Sequence, residues 1–199
     1  MDVDVVVVGG GIAGVSCAAS LAPRTSVAVL EMETTLGYHS TGRSAALYTE
    51  CYGADPIRRM SLASKSYFVD REEPFGTRRG VLFLALRGDH SSVTEFYGTF
   101  SSMVPALEVL SRDEVADLVT VISTEKTSGG VLEPEALDLD VHAILTSYAS
   151  TVKAHGGVIL TASRAITVER PGDRWRVTAG EHTITASTLV NAAGAWGDE

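Results

Sequence analysis

Apolar positions along the chain change period several times, and each change marks an element. Asp2–Val8 (DVDVVVV) is a β-branched run, long enough for a strand buried on both faces and too short to span a membrane. After three glycines, Ile12, Val15, Ala18, Ala19 and Ala22 recur at helical spacing, and Pro23 closes the helix. Val27–Leu30 is a second apolar strand that ends on Glu31. Asp55 and Pro56 read as N-cap and first residue of a helix running to about Phe68. Residues 80–86 (GVLFLAL) predict a buried strand, and residues 89–103 a helix. Ser111 and Glu114 have capping-box spacing for a short helix ending near Val119. Asp140 caps a helix with Ile144, Leu145, Tyr148, Ala149 and Val152 on one face, ending at His155-Gly156-Gly157 with glycine as the terminator. Val158–Leu160 is then a parallel strand reached by a helical crossover. Residues 165–168, 175–178 and 182–186 predict a small meander, and residues 189–191 a final strand into Ala192-Ala193-Gly194.

The first thirty-one residues therefore run strand, glycine turn, helix, strand, acid. Gly9, Gly11 and Gly14 satisfy G-x-G-x-x-G, with Ile12 and Ala13 inside the turn, and Glu31 lies twenty residues beyond Gly11. Gly9 permits the tight turn, Gly11 lets backbone approach a pyrophosphate, and Gly14 lets the helix pack closely on the strand. The helix N-terminus offers free N–H groups and about half a positive charge to the phosphates. Glu31 is placed to accept hydrogen bonds from the hydroxyls of an adenosine ribose.

Bulk properties narrow the partners. The 199 residues are 45% apolar, enough for a sizeable core in one or two domains, and the net charge of −9 argues against a nucleic-acid partner. The N-terminus lacks the basic region and cleavage site of a signal peptide. Cys17 and Cys51 form no C-x-x-C, and Cys17 falls in the first helix as a buried thiol, so a reduced, cytoplasmic compartment is expected. His90, His142, His155 and His182 share no ligand spacing with acids or cysteines, so no metal is expected. No G-x-S-x-G nucleophile elbow is present. Trp175 and Trp196 read as packing residues, and Arg58 and Arg59 as a solvated helix face.

The second informative stretch is residues 37–46 (GYHSTGRSAA), short of bulky apolar residues and rich in hydroxyls, with one guanidinium. Such a loop contributes little to a core and is suited to wrapping an anionic or flat polar ligand. His39 within it either approaches that ligand or is hydrogen-bonded inside the loop.

With these motifs in their order, VVVVGGGIAGVS, VLEME, GYHSTGRSAALYTECYG and LVNAAGAW, the chain resembles the FAD-dependent amine and amino-acid oxidoreductases of the D-amino-acid oxidase/glycine oxidase superfamily. Within it the nearest likeness is to the D-arginine dehydrogenase-like branch, of which the chain resembles the N-terminal half. The resemblance implies an α/β fold: a Rossmann-like FAD-binding domain with a parallel sheet and small meander, in segments 1–75 and 138–199. Part of an inserted α+β substrate domain would occupy 76–137. It also implies that Gly9, Gly11 and Gly14 take the pyrophosphate, and Glu31 with Met32 the adenosine ribose. Ser40, Thr41, Arg43, Ser44, Ala45 and Ala46 would line the pyrophosphate and isoalloxazine. Backbone at Ala165 would face the adenine, Ala192, Ala193 and Gly194 would let the cofactor lie over a strand end, and Tyr52 matches an active-site tyrosine.

One position departs from the branch. Where its pattern is S-A-A-H-Y-T, this chain has Leu47, which can neither hydrogen-bond an amine nor relay a proton. The expected activity is oxidation of a C–N bond in a small amine or amino acid, with neutral or apolar amines favoured over D-arginine. Two alternatives remain open: an NAD(P)-dependent reductase on the same βαβ unit, and a nucleotide-binding half that needs a second chain. On the second, the isolated chain is expected to associate through unpaired strand edges, bind the adenosine end of FAD weakly and show no turnover.

Overall fold

The computed structural model describes residues 1–198, with the side chain of His90 outside the described set. In chain order the first elements are β1 (Asp2–Val8), α1 (Ile12–Leu21), β2 (Val27–Leu30), β3 (Leu47–Tyr48), α2 (Asp55–Val69), β4 (Gly76–Arg78), β5 (Val81–Leu86), α3 (His90–Phe100) and β6 (Glu108–Ser111). They continue with α4 (Arg112–Leu118), β7 (Thr127–Glu133), β8 (Leu137–Leu139), α5 (Val141–Ala154), β9 (Val158–Leu160), β10 (Ala165–Glu169), β11 (Trp175–Ala179) and β12 (His182–Asn191). Two compact units result: residues 1–45 with 141–199, and residues 46–140.

The first unit is built on a six-stranded sheet of order β10-β11-β12-β1-β2-β9. The four strands β12, β1, β2 and β9 are parallel, and β10-β11-β12 is an antiparallel meander. β1 lies between β12 and β2 and is buried on both faces, which is why it reads as a nearly unbroken apolar run. Val5 and Val7 pack against Ala18 and Ala19 of α1 and Val152 of α5. Val6 turns the other way, among Leu30, Val177 and Ile184. α5 ends at Ala154, and Gly156 takes φ +77°, the left-handed conformation expected of a glycine terminator.

Several expectations are corrected here. Residues 182–186 and 189–191 are one ten-residue strand, β12. It pairs antiparallel with β11 through Ala186 and parallel with β1 from Thr185, so Ser187 and Thr188 continue the ladder instead of turning. Cys17 is half-buried, and Cys51 is the buried thiol.

The second unit begins at residue 46, not 76, because β3 pairs with β8 and β8 with β4. A second three-stranded sheet has order β5-β7-β6. Its β7 contains Ser128-Gly129-Gly130, a stretch for which the apolar pattern predicts no element. The glycines are there because neighbouring backbone comes close: a Cβ at Gly129 would lie 2.7 Å from the Leu110 carbonyl oxygen, and one at Gly130 2.7 Å from that of Phe83. β5 is less buried than expected, with Leu84 and Leu86 exposed and only Ala85 fully covered. α2 is capped one residue early, by Ala54; Asp55 sits in its first turn and pairs with Arg59 at 2.7 Å. Arg59 is solvated, but Arg58 is not: its Nη1 donates to the Gly53 carbonyl at 2.9 Å and its guanidinium lies over Phe100. α4 carries the expected capping box, with Ser111 and Glu114 bonding each other's backbone N–H.

Glu133 is 1% exposed and joins this unit's elements from the end of β7. Its carboxylate accepts from Thr49 Oγ1 at 2.5 Å and from the Glu50 N–H at 2.8 Å. The buried Glu50 carboxylate is paired with Lys65 Nζ at 3.0 Å. Burial and the Glu133 carboxylate push the Cys51 thiol up, so it is protonated and unreactive. Glu133→Ala leaves a buried N–H and hydroxyl without their acceptor, and should cost about 1–3 kcal/mol, with Glu133→Gln costing less. Chemical denaturation checks this, and equal stability of parent and Glu133→Ala would contradict it.

Candidate dinucleotide site

β1 delivers the chain into the glycine turn at the carboxyl edge of the parallel sheet, between the ends of β2 and β12. The Gly9 N–H donates to the Leu30 carbonyl at 2.8 Å, and the Ala192 N–H donates to the Val8 carbonyl at 2.8 Å. Gly9 has φ +112°, and a Cβ there would lie 2.2 Å from the Ala192 oxygen. A Cβ at Gly14 would lie 1.9 Å from the Gly9 oxygen. Both glycines are thus required by the protein's own packing. Gly11 differs: a Cβ there would meet only Thr41 Oγ1, at 3.2 Å. Its bare backbone faces the groove beside the N-terminus of α1.

The loop from Gly37 is tied to this turn. The Gly37 N–H donates to the Gly10 carbonyl at 3.0 Å, and the Gly42 N–H to the Gly37 carbonyl at 2.7 Å. Thr41 Oγ1 accepts the Ile12 N–H at 3.0 Å, docking the hydroxyl-rich loop on the first amide of α1. The Ala13 and Gly14 amides belong to the first turn, which has no intrahelical acceptor to offer them. Glu31 is 7% exposed. Its Oε2 accepts the Gly10 N–H and its Oε1 the Glu33 N–H, both at 2.8 Å. Each oxygen keeps a further lone pair for a hydroxyl donor.

These elements enclose a groove of about 980 Å³, within the first unit. Of the residues singled out in the sequence, it gathers Gly9, Gly11, Ile12, Ala13, Glu31, Met32, Ser40, Thr41, Ala165, Ala192, Ala193 and Gly194. Gly14, Arg43, Ser44, Ala45 and Ala46 are not among its lining residues. Gly14 packs beneath the turn, and the Arg43 guanidinium sits 5.3 Å from the Tyr38 ring centroid. Ser44 follows the short helical turn Thr41–Arg43. Ala46 belongs to the second unit, with φ +55° and its carbonyl accepting from Leu139. Tyr52 also belongs to the second unit and is 71% exposed.

The groove also contains residues that periodicity and motif spacing did not reveal. Ser163 is buried there, held by its N–H to the Glu31 carbonyl at 2.7 Å. Asn191 bonds the segment beyond β12, its Nδ2 donating to the Gly197 carbonyl at 2.7 Å and its Oδ1 accepting from Ala193 N–H at 3.1 Å. Trp196 lines the groove and meets His39, whose Nε2 is 2.8 Å from Glu33 Oε1. Trp175 is half-buried in β11, with Arg170 over its ring. Ile166 and Val168 present exposed apolar side chains to the groove. Among the described residues no group of three or more histidines, cysteines and acids could hold a metal ion.

An open glycine backbone, a helix N-terminus and an acid at the neighbouring strand end together fit an adenine dinucleotide. The family model described as FAD dependent oxidoreductase (DAO) matches residues 4–199. Among curated proteins, mitochondrial dimethylglycine dehydrogenase of Rattus norvegicus is 23% identical over 98% of this chain and 24% of its own length. Among solved structures, glycine oxidase from Geobacillus kaustophilus superposes with a TM-score of 0.85 at 18% identity, covering 98% of this chain and 56% of that one. FAD-bound L-α-glycerophosphate oxidase from Mycoplasma pneumoniae gives 0.84 at 15% identity, covering 97% and 54%. The chain thus spans about half the length of these solved structures and a quarter of the rat relative.

Two glycine variants separate packing from binding. Gly11→Val should melt near the parent temperature, since only the Thr41 side chain must move, yet lose FAD binding. Gly14→Val should lose stability by about 1–3 kcal/mol or more, because helix and turn must part. Thermal melting and quenching of flavin fluorescence check both, and undiminished FAD affinity in Gly11→Val would contradict the assignment.

Proposed function

Because the chain belongs to the FAD dependent oxidoreductase (DAO) family, we propose that it oxidises a C–N bond of an amino acid or other small amine, and that it stands nearest the D-arginine dehydrogenase-like branch. The observation that carries this reading is the Gly37–Ala46 stretch, whose Thr41 hydroxyl docks on the first amide of α1 beside the glycine turn. Its order of small and hydroxyl residues, with Tyr48 and Thr49 following the departing Leu47, resembles that branch. It also weighs against an NAD(P)-dependent reductase.

FAD, when bound, supplies the hydride acceptor for this chemistry, the amine becoming an imine that water hydrolyses. The chain's residues bind and orient. Amides of Gly11 and Ala13 face the pyrophosphate, Glu31 accepts from the adenosine ribose, and backbone at Ala165 faces the adenine. Ser40 and Thr41, which line the groove, hold the rest of the dinucleotide, and Ala192, Ala193 and Gly194 leave room for it. In this reading the unit of residues 1–45 and 141–199 is the FAD-binding domain, and residues 46–140 are part of the substrate domain. Tyr52, with its exposed phenol, orients the substrate. Among the described residues no helix is long and apolar enough to cross a membrane. The net charge of −9 weighs against a nucleic-acid partner, and a small-molecule substrate and a cytoplasmic setting are part of the same proposal.

In a second form of this reading, residues 1–199 act as a dinucleotide-binding half that turns over only together with a second chain. Gel filtration, flavin absorbance and amine-dependent dye reduction separate the two forms. The chain alone should give no turnover if the second form holds, and a monodisperse yellow protein that reduces dye would establish the first.

Substrate preference follows from Leu47. A charged hydrogen bond to the substrate is worth roughly 1.5–3 kcal/mol, so its loss should lower kcat/KM for D-arginine about ten- to a hundredfold against a histidine-bearing enzyme. Neutral or apolar amines should therefore be the better substrates, and Leu47→His should recover activity toward D-arginine. A dye-reduction screen including glycerol 3-phosphate checks this. Clear preference for D-arginine or D-lysine would contradict the role given to Leu47, and preference for glycerol 3-phosphate the C–N chemistry itself.

A further inference from the structure

We propose that His39 and Trp196 form an aromatic clasp across the dinucleotide groove that sets how long FAD stays bound, an inference resting on the FAD reading above. β1 lies between β2 and β12, so the segments leaving those two strands emerge on either side of the glycine turn. The loop beyond β2 carries His39, and the short turn Gly194–Trp196 beyond β12 carries Trp196. Their ring centroids are 4.5 Å apart with planes tilted by 52°, and both residues line the groove. The contact therefore bridges the carboxyl end of β1, where Gly9 to Gly11 turn toward α1.

Each ring is held on its own side. His39 Nε2 bonds Glu33 Oε1 at 2.8 Å, the Glu33 carbonyl accepts the Ala162 N–H at 2.7 Å, and the Glu33 N–H donates to Glu31. Tyr38 packs edge-on against the His39 ring at 5.1 Å, which restricts its swing. On the other side, Asn191 ties both Ala193 and Gly197, the residues that flank the Trp196 turn. The bridge between these two anchored segments is a contact of two rings, so it opens by side-chain rotation with the sheet intact. A dinucleotide seated on the glycine turn would be crossed by that bridge, and its release would then require the rings to part. The Glu33 link joins the clasp to Glu31, the acid that would hold the ribose, so ribose contact and ring closure share one hydrogen-bonded chain.

The test uses the full chain loaded with FAD, with release followed as the rise in flavin fluorescence after dilution. His39→Ala and Trp196→Ala should each release FAD about five- to tenfold faster, the scale of one aromatic pair. The double variant should be no faster than the faster single variant, because both changes remove the same contact. His39→Phe keeps the ring while losing the Glu33 bond, and should release FAD at a rate between those of the parent and His39→Ala. Trp196→Phe should fall between parent and Trp196→Ala, and it keeps the test available if the alanine variant melts. Parent-like release from both single variants, or effects that multiply in the double variant, would overturn the clasp while leaving the FAD reading intact. Failure of the parent chain to bind FAD would overturn both.

Discussion

The site depends on one close approach of backbone to backbone at the end of β1. The Gly9 carbonyl oxygen lies where a Cβ of Gly14 would have to be, 1.9 Å away, and Gly9 itself is pressed against the Ala192 carbonyl. Without side chains at these two positions, α1 can start directly over the strand end and aim its first amides into the groove. The same approach brings the end of β12 alongside, so three separate stretches of chain meet around one turn. Ordinary residues there would push helix and strand apart, and the helix N-terminus would lose its alignment with the groove.

Polar side chains then set the walls around that turn. Glu31 is buried at the end of β2 with both carboxylate oxygens accepting backbone N–H groups, one from the turn and one from Glu33. Thr41 accepts the first amide of α1, and Asn191 holds the segment beyond β12. Strand ends supply the positions and side-chain hydrogen bonds fix the loops, which places the ligand-facing groups on rigid supports. The second unit is organised differently, around the buried Glu133 carboxylate and the Glu50–Lys65 pair.

Much of the first unit was legible because its signals are local. A parallel strand buried on both faces is a continuous apolar run, α1 and α5 show helical spacing, and the capping box of α4 is contained within four residues. Gly9, Gly11, Glu31 and Thr41, singled out from motif spacing and resemblance, all line the groove. What escaped depends on distant partners. β7 hides behind Gly129 and Gly130, which are glycine because Leu110 and Phe83 backbone approaches them. β3, β4 and β8 are two or three residues long and exist through one another. β12 was divided at Ser187 because its polar residues look like a turn, although β1 pairs along that stretch. Ser163 and the His39–Trp196 contact carry no local signature at all, since each arises only when β9 or β12 takes its place in the sheet.

The most direct measurement of the central claim is amide hydrogen exchange of the chain with and without FAD. Binding of the dinucleotide at the N-terminus of α1 predicts slowed exchange in residues 9–14, at Ser40 and Thr41 and through Ala192 to Gly194, with β5 to β7 unchanged. Unaltered exchange in the glycine turn under saturating FAD, or protection confined to residues 46–140, would contradict it.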